Sequence, residues 1–213
     1  MLVECTSRIQ YDLNMDSHEQ RLVHRFREGD TAAFRELVER CQEPIFQLAI
    51  ELTGDWDDAD DLSQQVFIKA YRALPRFRGE TKIMSWLYRI MVNTHIDNAR
   101  KERARGWRVG PPSPDEGQPQ SEQYASHAAE DNPETRTASR YMQEHINRAL
   151  SILAPQQRSV FVLRHYHDLS LKEIARILGL SVGTVKSQLF RAIHRMQKEL
   201  AFYRTELGLE ESL

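Results

Sequence analysis

Residues 169–200 read LSLKEIARILGLSVGTVKSQLFRAIHRMQKEL. Ser170 and Glu173 have the spacing of a capping box, which predicts that a short helix begins directly after Ser170. Gly179 suits the left-handed position that ends a helix, and Ser181 can cap the helix that follows. Two helices joined by a short glycine turn, the second one longer, are typical of a helix-turn-helix, which places its second helix in the major groove of DNA.

The second of these helices has an apolar and a polar face. Its apolar residues share one side of a helical wheel: Val185, Leu189, Ala192, Ile193 and Met196. Residues suited to DNA contact lie opposite or on the flank: Thr184, Lys186, Ser187, Phe190, Arg191 and His194. Arg191 can donate a bidentate pair to guanine, Lys186 and Ser187 can hold phosphates, and Phe190 can pack on a thymine methyl.

The alternative to DNA binding here is a pair of amphipathic helices in a bundle with a solvated polar face. Such a face commonly carries Glu–Lys pairs, whereas no acidic residue occurs from Ser181 to Lys198. The pattern therefore favours DNA binding.

The composition limits which classes of protein the chain can belong to. Its 213 residues carry a formal net charge of −2, which argues against a freestanding, strongly basic DNA-binding protein. A DNA-binding role then predicts locally clustered cations and a larger partner that supplies further contacts. No run approaches the ~20 apolar residues of a membrane span, and the first residues do not resemble a secretory signal. We therefore expect no membrane insertion. Cys5 and Cys41 stand far apart in the sequence, so we also expect no disulfide framework and a location in the reducing cytoplasm.

A proline-rich segment divides the chain. Five of the eight prolines fall between Gly106 and Ser139, in a stretch with few aliphatic residues and an excess of acidic ones. Such a segment is predicted to be a flexible linker. The predicted order is an extension (1–17), a first domain (18–106), a linker (107–139), a second domain (140–204) and a tail (205–213). Apolar residues recur at helical spacing in both halves without a competing strand pattern, so the fold class is all-α, with two small helical domains.

In the first half, aromatic residues are interleaved with cations. Phe77, Trp86 and Tyr88 lie near Arg76, Arg78 and Arg89, and a basic run extends from Arg100 to Arg105. This mixture suits single-stranded nucleic acid, because bases stack on rings while cations follow the phosphates. The alternatives are that Trp86 belongs to the core and that the basic run is a solvated helix end favoured by the helix dipole.

An acidic cluster, Asp55 to Asp61, stands at the start of a helix that is predicted to run to Leu74. Asp57-Asp58-x-x-Asp61 has the spacing of the aspartate-rich magnesium motif of helical prenyl-transfer enzymes, but no second such cluster is present. Carboxylates at a helix start also cap it and favour its dipole. We expect helix capping, no metal, no cofactor and no catalytic residues; a small helical magnesium enzyme is the alternative.

Three stretches, in this order, resemble the extracytoplasmic-function sigma factors, the smallest members of the sigma-70 family. They are DDLSQQVFIKAY (60–71), FRG (77–79) with SWLYRI (85–90) and Asn93, and GTVKS (183–187) with FRA (190–192). The resemblance covers about residues 20–105 and 141–203. It implies a region 2 helical bundle followed by a region 4 helix-turn-helix.

The family resemblance also implies a function and site residues. The chain is expected to bind the clamp formed by the largest subunits of core RNA polymerase, to recognise promoter DNA, to catalyse nothing itself and to be restrained by an anti-sigma factor. Residues expected to bind core polymerase are Asp61, Gln64, Gln65, Phe67 and Lys69. Residues expected at the minus-ten element are Phe77, Arg78, Trp86, Tyr88, Arg89, Asn93, Arg100 and Lys101. Residues expected at the minus-thirty-five element are Ser181, Thr184, Lys186, Ser187, Phe190 and Arg191.

One position departs from the family pattern. Gln65 stands where the family usually has glutamate, so the expected contact with a basic clamp residue loses a charge. A freestanding helix-turn-helix repressor or activator is the second interpretation, and it requires tight duplex binding by a symmetric dimer without polymerase.

Overall fold

The computed structural model of the chain describes residues 17–109 and 145–206, and within these ranges the regular structure is helical. The first part consists of α1 (Ser17–Arg27), α2 (Thr31–Thr53), α3 (Trp56–Ala73), a 3-10 turn (Leu74–Arg76) and α4 (Ile83–Val109). The second part consists of α5 (145–151), α6 (Pro155–His165), α7 (Leu171–Leu178) and α8 (Val182–Glu206). The all-α prediction is confirmed. Residues 1–16, 110–144 and 207–213, which include most of the predicted extension, linker and tail, lie outside the described residues.

The helix boundaries follow local signals in the sequence. The Asp30 side chain accepts a hydrogen bond from the N–H of Ala32 and caps α2, which ends at Gly54 in the left-handed conformation (φ 83°). Asp55 caps α3 by accepting from the N–H groups of Asp57 and Asp58, at 2.9 and 3.1 Å. The acidic cluster thus starts a helix, as predicted. Helix α4 continues to Val109, three residues past the predicted end of the first domain.

Helices α1, α2 and α3 each bury an apolar stripe, and α4 buries side chains on more than one side. Fully buried residues are Leu22 in α1, Ile45, Leu48 and Leu52 in α2, Val66 and Ala70 in α3, and Leu87 and Met91 in α4. Each large aliphatic side chain removed from water in this way contributes about 1.5–3 kcal/mol to folding. In the second part, Leu150 and Leu153 pack with Ala192 and Met196 of α8.

The two parts pack against each other. Helices α2 and α4 contact α6, and α4 also contacts α7, so that Val160, Ile174 and Ile177 belong to the same hydrophobic cluster as Leu87 and Met91. The sequence pattern, which predicted two domains on a linker, did not predict this contact. Among the described residues, no helix is both long enough and apolar enough to cross a membrane.

Candidate nucleic-acid interface

The ends of the two helices α7 and α8 are defined by the capping residues that the sequence predicted. The Ser170 hydroxyl accepts from the N–H of Glu173, and the Glu173 carboxylate accepts from the N–H of Ser170, which completes the capping box of α7. Gly179 ends α7 with φ 65°. The Ser181 hydroxyl then accepts from the N–H of Thr184, 3.0 Å away, and caps α8. These contacts produce a helix-turn-helix in which α8 follows α7 after a short turn.

Helix α8 presents a polar face to solvent, while Val185, Ala192 and Met196 are buried. We call this exposed surface the recognition face: Ser181, Thr184, Lys186, Ser187, Phe190 and Arg191. Four of these residues, Lys186, Ser187, Phe190 and Arg191, line one shallow depression. The Phe190 ring is 73% exposed, so it packs on nothing that would explain it as a core residue. The structure therefore brings four of the predicted minus-thirty-five residues together, and it leaves Ser181 and Thr184 exposed at the N-terminal end of the same helix.

The aromatic residues of the first domain divide into two groups. Tyr88 is fully buried and Phe77 is 7% exposed, so neither ring is available for base stacking in this structure. Trp86 is half-buried, with its ring centroid 4.8 Å from that of Phe77. Their proximity in sequence to cations predicted base stacking for all three rings, but tertiary packing leaves only Trp86, among these three, partly accessible.

Predicted minus-ten residues in the turn before α4 and along α4 are exposed, except for Trp86, which is half-buried. We call this surface the strand-binding face, and it comprises Arg78, Trp86, Asn93, Arg100 and Lys101. Arg78 and Arg100 have carboxylates nearby, at 3.8 Å (Glu80) and 3.9 Å (Asp97), which are loose, solvent-screened contacts. Arg89, also predicted here, instead donates to the carbonyl oxygens of Ile177 and Arg176, at 2.8 and 2.7 Å.

Helix α3 has an exposed face that combines polar and apolar side chains. Asp61 and Gln64 are exposed, and Ile68 and Tyr71 follow on the same face at 52% and 45% exposure. We call these four residues the docking face. Ile68 and Tyr71 were not among the residues expected to bind polymerase, although Ile68 lies four residues after Gln64 and Tyr71 three residues after Ile68.

The remaining predicted polymerase-binding residues contact α4 or the core. Gln65 accepts a hydrogen bond from Asn98 at 3.2 Å, and the Lys69 ammonium donates to the Thr94 hydroxyl at 2.8 Å. Phe67 is half-buried against the core. Gln65 and Lys69 therefore hold α3 against α4, beside the docking face, while Phe67 packs on the core.

Together, these features define a helical DNA-binding protein with a helix-turn-helix in one domain and a basic, aromatic-bearing helix in the other. Two family models match the chain: sigma-70 region 2 over residues 37–105, and sigma-70, region 4, over residues 143–196.

Curated relatives match over most of their length. The RNA polymerase sigma-H factor of Pseudomonas aeruginosa is 36% identical over 85% of this chain and 93% of its own. The ECF RNA polymerase sigma-E factor of Escherichia coli is 37% identical over 82% of this chain and 90% of its own. The chain therefore belongs to the sigma-70 family of RNA polymerase sigma factors, in its extracytoplasmic-function (ECF) group. It is a promoter-recognition subunit that acts in transcription initiation.

Solved structures have the same fold. RpoE of Bartonella quintana, solved with the anti-sigma factor NepR, is 25% identical and aligns with a TM-score of 0.57 over 79% of this chain and 96% of its own. CnrH, solved with the cytosolic domain of CnrY, is 24% identical and aligns with a TM-score of 0.58 over 87% of this chain and 98% of its own. Both likenesses support the arrangement of helices described above.

Proposed function

We propose that this sigma factor reads promoters through the recognition face and the strand-binding face while the docking face holds it on core polymerase. The observation that carries the proposal is that all six predicted minus-thirty-five residues are exposed at the start and along the polar side of α8, four of them around one depression. A recognition helix must leave its polar side free while its apolar side is anchored, and α8 meets both requirements.

At the minus-thirty-five element, we assign base reading to Arg191 and Phe190. Arg191 donates to the O6 and N7 atoms of a guanine, and Phe190 packs on a thymine methyl. Lys186 and Ser187 bind phosphates and fix the register of α8 on the duplex. Ser181 and Thr184 support this surface by capping the helix.

At the minus-ten element, we assign stacking to Trp86, and contacts with the displaced strand to Arg78, Asn93, Arg100 and Lys101. Phe77 is buried and its ring contacts that of Trp86, so it supports the position of the Trp86 ring. Tyr88 holds the packing of α4. Arg89 can join the strand-binding face only when it leaves its carbonyl partners on α7.

On the polymerase side, we assign the clamp contact to the docking face, with Asp61 and Gln64 as its polar part and Ile68 and Tyr71 as its apolar part. Interfaces of this kind gain most of their affinity from a few central apolar or aromatic side chains. Gln65, Phe67 and Lys69 position α3 for that contact.

We further propose that the chain acts in the cytoplasm, catalyses no reaction itself and is restrained by an anti-sigma factor. The last point extends to this chain the presence of NepR in the RpoE structure. An anti-sigma factor would act by covering the docking face or the DNA-binding faces.

Transcription in vitro with purified core polymerase tests the proposed function. We expect core polymerase to initiate at a promoter selected by this chain only when the chain is present, and duplex binding by the chain alone to be weak. Tight operator binding by a dimer that never joins polymerase would instead establish the repressor interpretation. Magnesium-dependent turnover of a small substrate would establish the enzyme interpretation.

A further inference from the structure

The segment 78–82, between the 3-10 turn and α4, carries part of the strand-binding face. It connects Phe77 to Ile83, the first residue of α4. The Arg78 side chain is 84% exposed, and the chain bends at Gly79, where φ is 74°. The conformation of this segment therefore decides where the Arg78 guanidinium lies relative to Trp86, which follows near the start of α4.

Helix α1 contacts the residue at the first end of this segment. The Arg27 guanidinium donates a hydrogen bond to the carbonyl oxygen of Phe77. The N–H of Phe77 in turn donates to the carbonyl oxygen of Leu74, 3.1 Å away. The backbone of Phe77 is thus held on one side by the 3-10 turn and on the other by α1. Because the Phe77 ring contacts that of Trp86, Arg27 also fixes the residue that supports the stacking ring.

Helix α1 also contacts the residue at the second end of the segment. The Glu19 carboxylate accepts a hydrogen bond from the N–H of Ile83 at 3.5 Å. The first N–H groups of a helix have no partner within it, and a negative charge is favourable at that end. Glu19 and Arg27 are eight positions apart, which is about 12 Å along a helix axis. One helix therefore holds both ends of the segment.

The position of α1 is set by contacts that do not involve the segment. Leu22, Val23 and Phe26 are buried. The Phe26 ring contacts Phe34 of α2 and Tyr71 of α3, with centroids 5.7 and 5.2 Å apart. Helix α1 is therefore a fixed support, and its two hydrogen bonds transmit the position of α2 and α3 to the segment 78–82.

A contribution to folding alone is the alternative role for these two contacts. Helix α4 has its own buried side chains, among them Ile83, Leu87 and Met91, which are fully buried. The Arg27 side chain is exposed and that of Glu19 is half-buried, so the core does not depend on either of them. Restriction of the segment matters for binding instead, because a loop that has to be ordered when it binds a ligand lowers the affinity.

We propose that Arg27 and Glu19 are positioning residues for the minus-ten strand. They hold the segment 78–82 in the conformation that presents Arg78 beside Trp86, and they do not contact DNA themselves. We call the two hydrogen bonds the α1 brace. The inference rests on the proposed function, since it takes Arg78 and Trp86 as contacts of the displaced strand.

Paired substitutions in the full chain remove or keep each hydrogen bond. Arg27→Met removes the donor and keeps a long side chain, whereas Arg27→Lys keeps both the charge and a donor. Glu19→Ala removes the acceptor, whereas Glu19→Gln keeps a carbonyl acceptor. Arg35→Met makes the same charge change as Arg27→Met at an exposed position of α2 and serves as the matched control.

Amide hydrogen exchange of the full chain measures whether α1 holds the segment. We expect faster exchange at residues 78–85 in Arg27→Met and Glu19→Ala, because a segment without its supports opens more often. Arg27→Lys, Glu19→Gln and Arg35→Met should exchange there at the wild-type rate, and α2 and α3 should be unchanged in every variant. Wild-type exchange at 78–85 in both disruptive variants, or faster exchange throughout the chain, would overturn the brace.

Binding of single strands by the holoenzyme measures whether the brace serves recognition. The first probe is the fluorescent nontemplate strand across the minus-ten element of a promoter that the wild-type holoenzyme transcribes. The second probe contains the same bases in permuted order. Loss of a charge weakens binding of both probes alike, because contacts with phosphates carry no sequence information. Displacement of Arg78 and Trp86 weakens binding of the matched probe alone.

We expect Arg27→Met to lose about tenfold in affinity for the matched probe and less than about twofold for the permuted probe, since the segment has to be ordered on binding. Arg27→Lys and Arg35→Met should bind both probes as the wild-type chain does. An equal loss on both probes, or unchanged discrimination in Arg27→Met, would refute the positioning role. Failure of the wild-type chain to support transcription with core polymerase would instead overturn the proposed function, whatever the exchange rates show.

Discussion

At the scale of single residues, function depends on which side chains the fold leaves accessible. Arg191 and Phe190 lie on the solvent side of α8, while Val185 and Ala192 of the same helix are buried. On α4, Tyr88 is buried although it follows the core residue Leu87 directly. A helix covered on one side buries one stripe, whereas α4 is covered by α3 on one side and by α6 and α7 on another. Periodicity alone therefore did not separate the half-buried Trp86 from the fully buried Tyr88.

Removal of the Arg191 guanidinium is expected to weaken recognition at one base pair. Arg191→Ala should cost about 1–3 kcal/mol in binding by the holoenzyme and relax the preference at that position. Arg148→Ala, at an exposed position of α5, is the control and should change neither. Transcription from a set of minus-thirty-five variants measures both quantities. An unchanged base preference in Arg191→Ala would refute the assigned contact.

His95 is expected to make the chain sensitive to acid. Its Nε2 atom has no hydrogen-bond partner among the described residues, and burial, with a smaller effect from Arg158, lowers its pKa from 6.5 to about 4. The folded state then binds the proton less well than the unfolded state, so stability falls as the pH drops from about 6.5 toward 4. We expect a loss of about 2 kcal/mol from this group between pH 7 and pH 5.

Urea unfolding at the two pH values measures this effect. His95→Gln should unfold with a weaker pH dependence than the wild-type chain over the same interval. An identical pH dependence in the two proteins would show that the His95 ring is not the group responsible.

At the scale of elements, local signals set where helices begin and end. Asp55 and the Ser170–Glu173 box act where the sequence placed them, and Asp30 and Gly54 bound α2 in the same local way, because capping depends on residues within four positions of each other. The amphipathic stripes were predictable for the same reason. The exposed faces of α3 and α4 were less predictable, since the surroundings of residues such as Ile68 and Arg89 depend on distant parts of the chain.

The capping box of α7 offers a test at this scale. Ser170→Ala removes the side-chain acceptor for the N–H of Glu173 and should lower the free energy of unfolding by about 1 kcal/mol. Ser151→Ala, which changes an exposed serine of α5, should cost less than about 0.5 kcal/mol. Thermal unfolding followed by circular dichroism compares them. Equal stabilities of the two variants would argue that this cap contributes nothing.

At the scale of the whole molecule, the protein has to hold two DNA-reading domains apart on polymerase and to bind DNA weakly when it is alone. Its net charge of −2 gives the free chain little electrostatic affinity for DNA. In the packed arrangement of α2 and α4 with α6 and α7, the Arg89 guanidinium donates to the carbonyl oxygen of Ile177 on α7.

Loss of the docking face should separate polymerase binding from folding. Asp61→Lys combined with Gln64→Lys should abolish co-elution with core polymerase, because it replaces an acidic and a neutral exposed side chain with cations. Glu39→Lys with Gln42→Lys makes the equivalent change on α2 and should bind normally. Size-exclusion chromatography reports binding, and circular dichroism reports helix content. Retained co-elution in the first pair would contradict the assignment of the docking face.

The sequence by itself determined the helical class, the capping box of α7 and the succession of a region 2 and a region 4, and it predicted the six residues of the recognition face. These features depend on spacing within a few turns of helix, which a linear pattern records. Tertiary structure alone decided that Phe77 and Tyr88 are buried, that Ile68 and Tyr71 are exposed, and that Arg89, Arg158 and His167 join the two domains. Those outcomes depend on contacts between residues up to 116 positions apart, such as His167 with Glu51, and no local pattern encodes which distant surface will cover a given side chain.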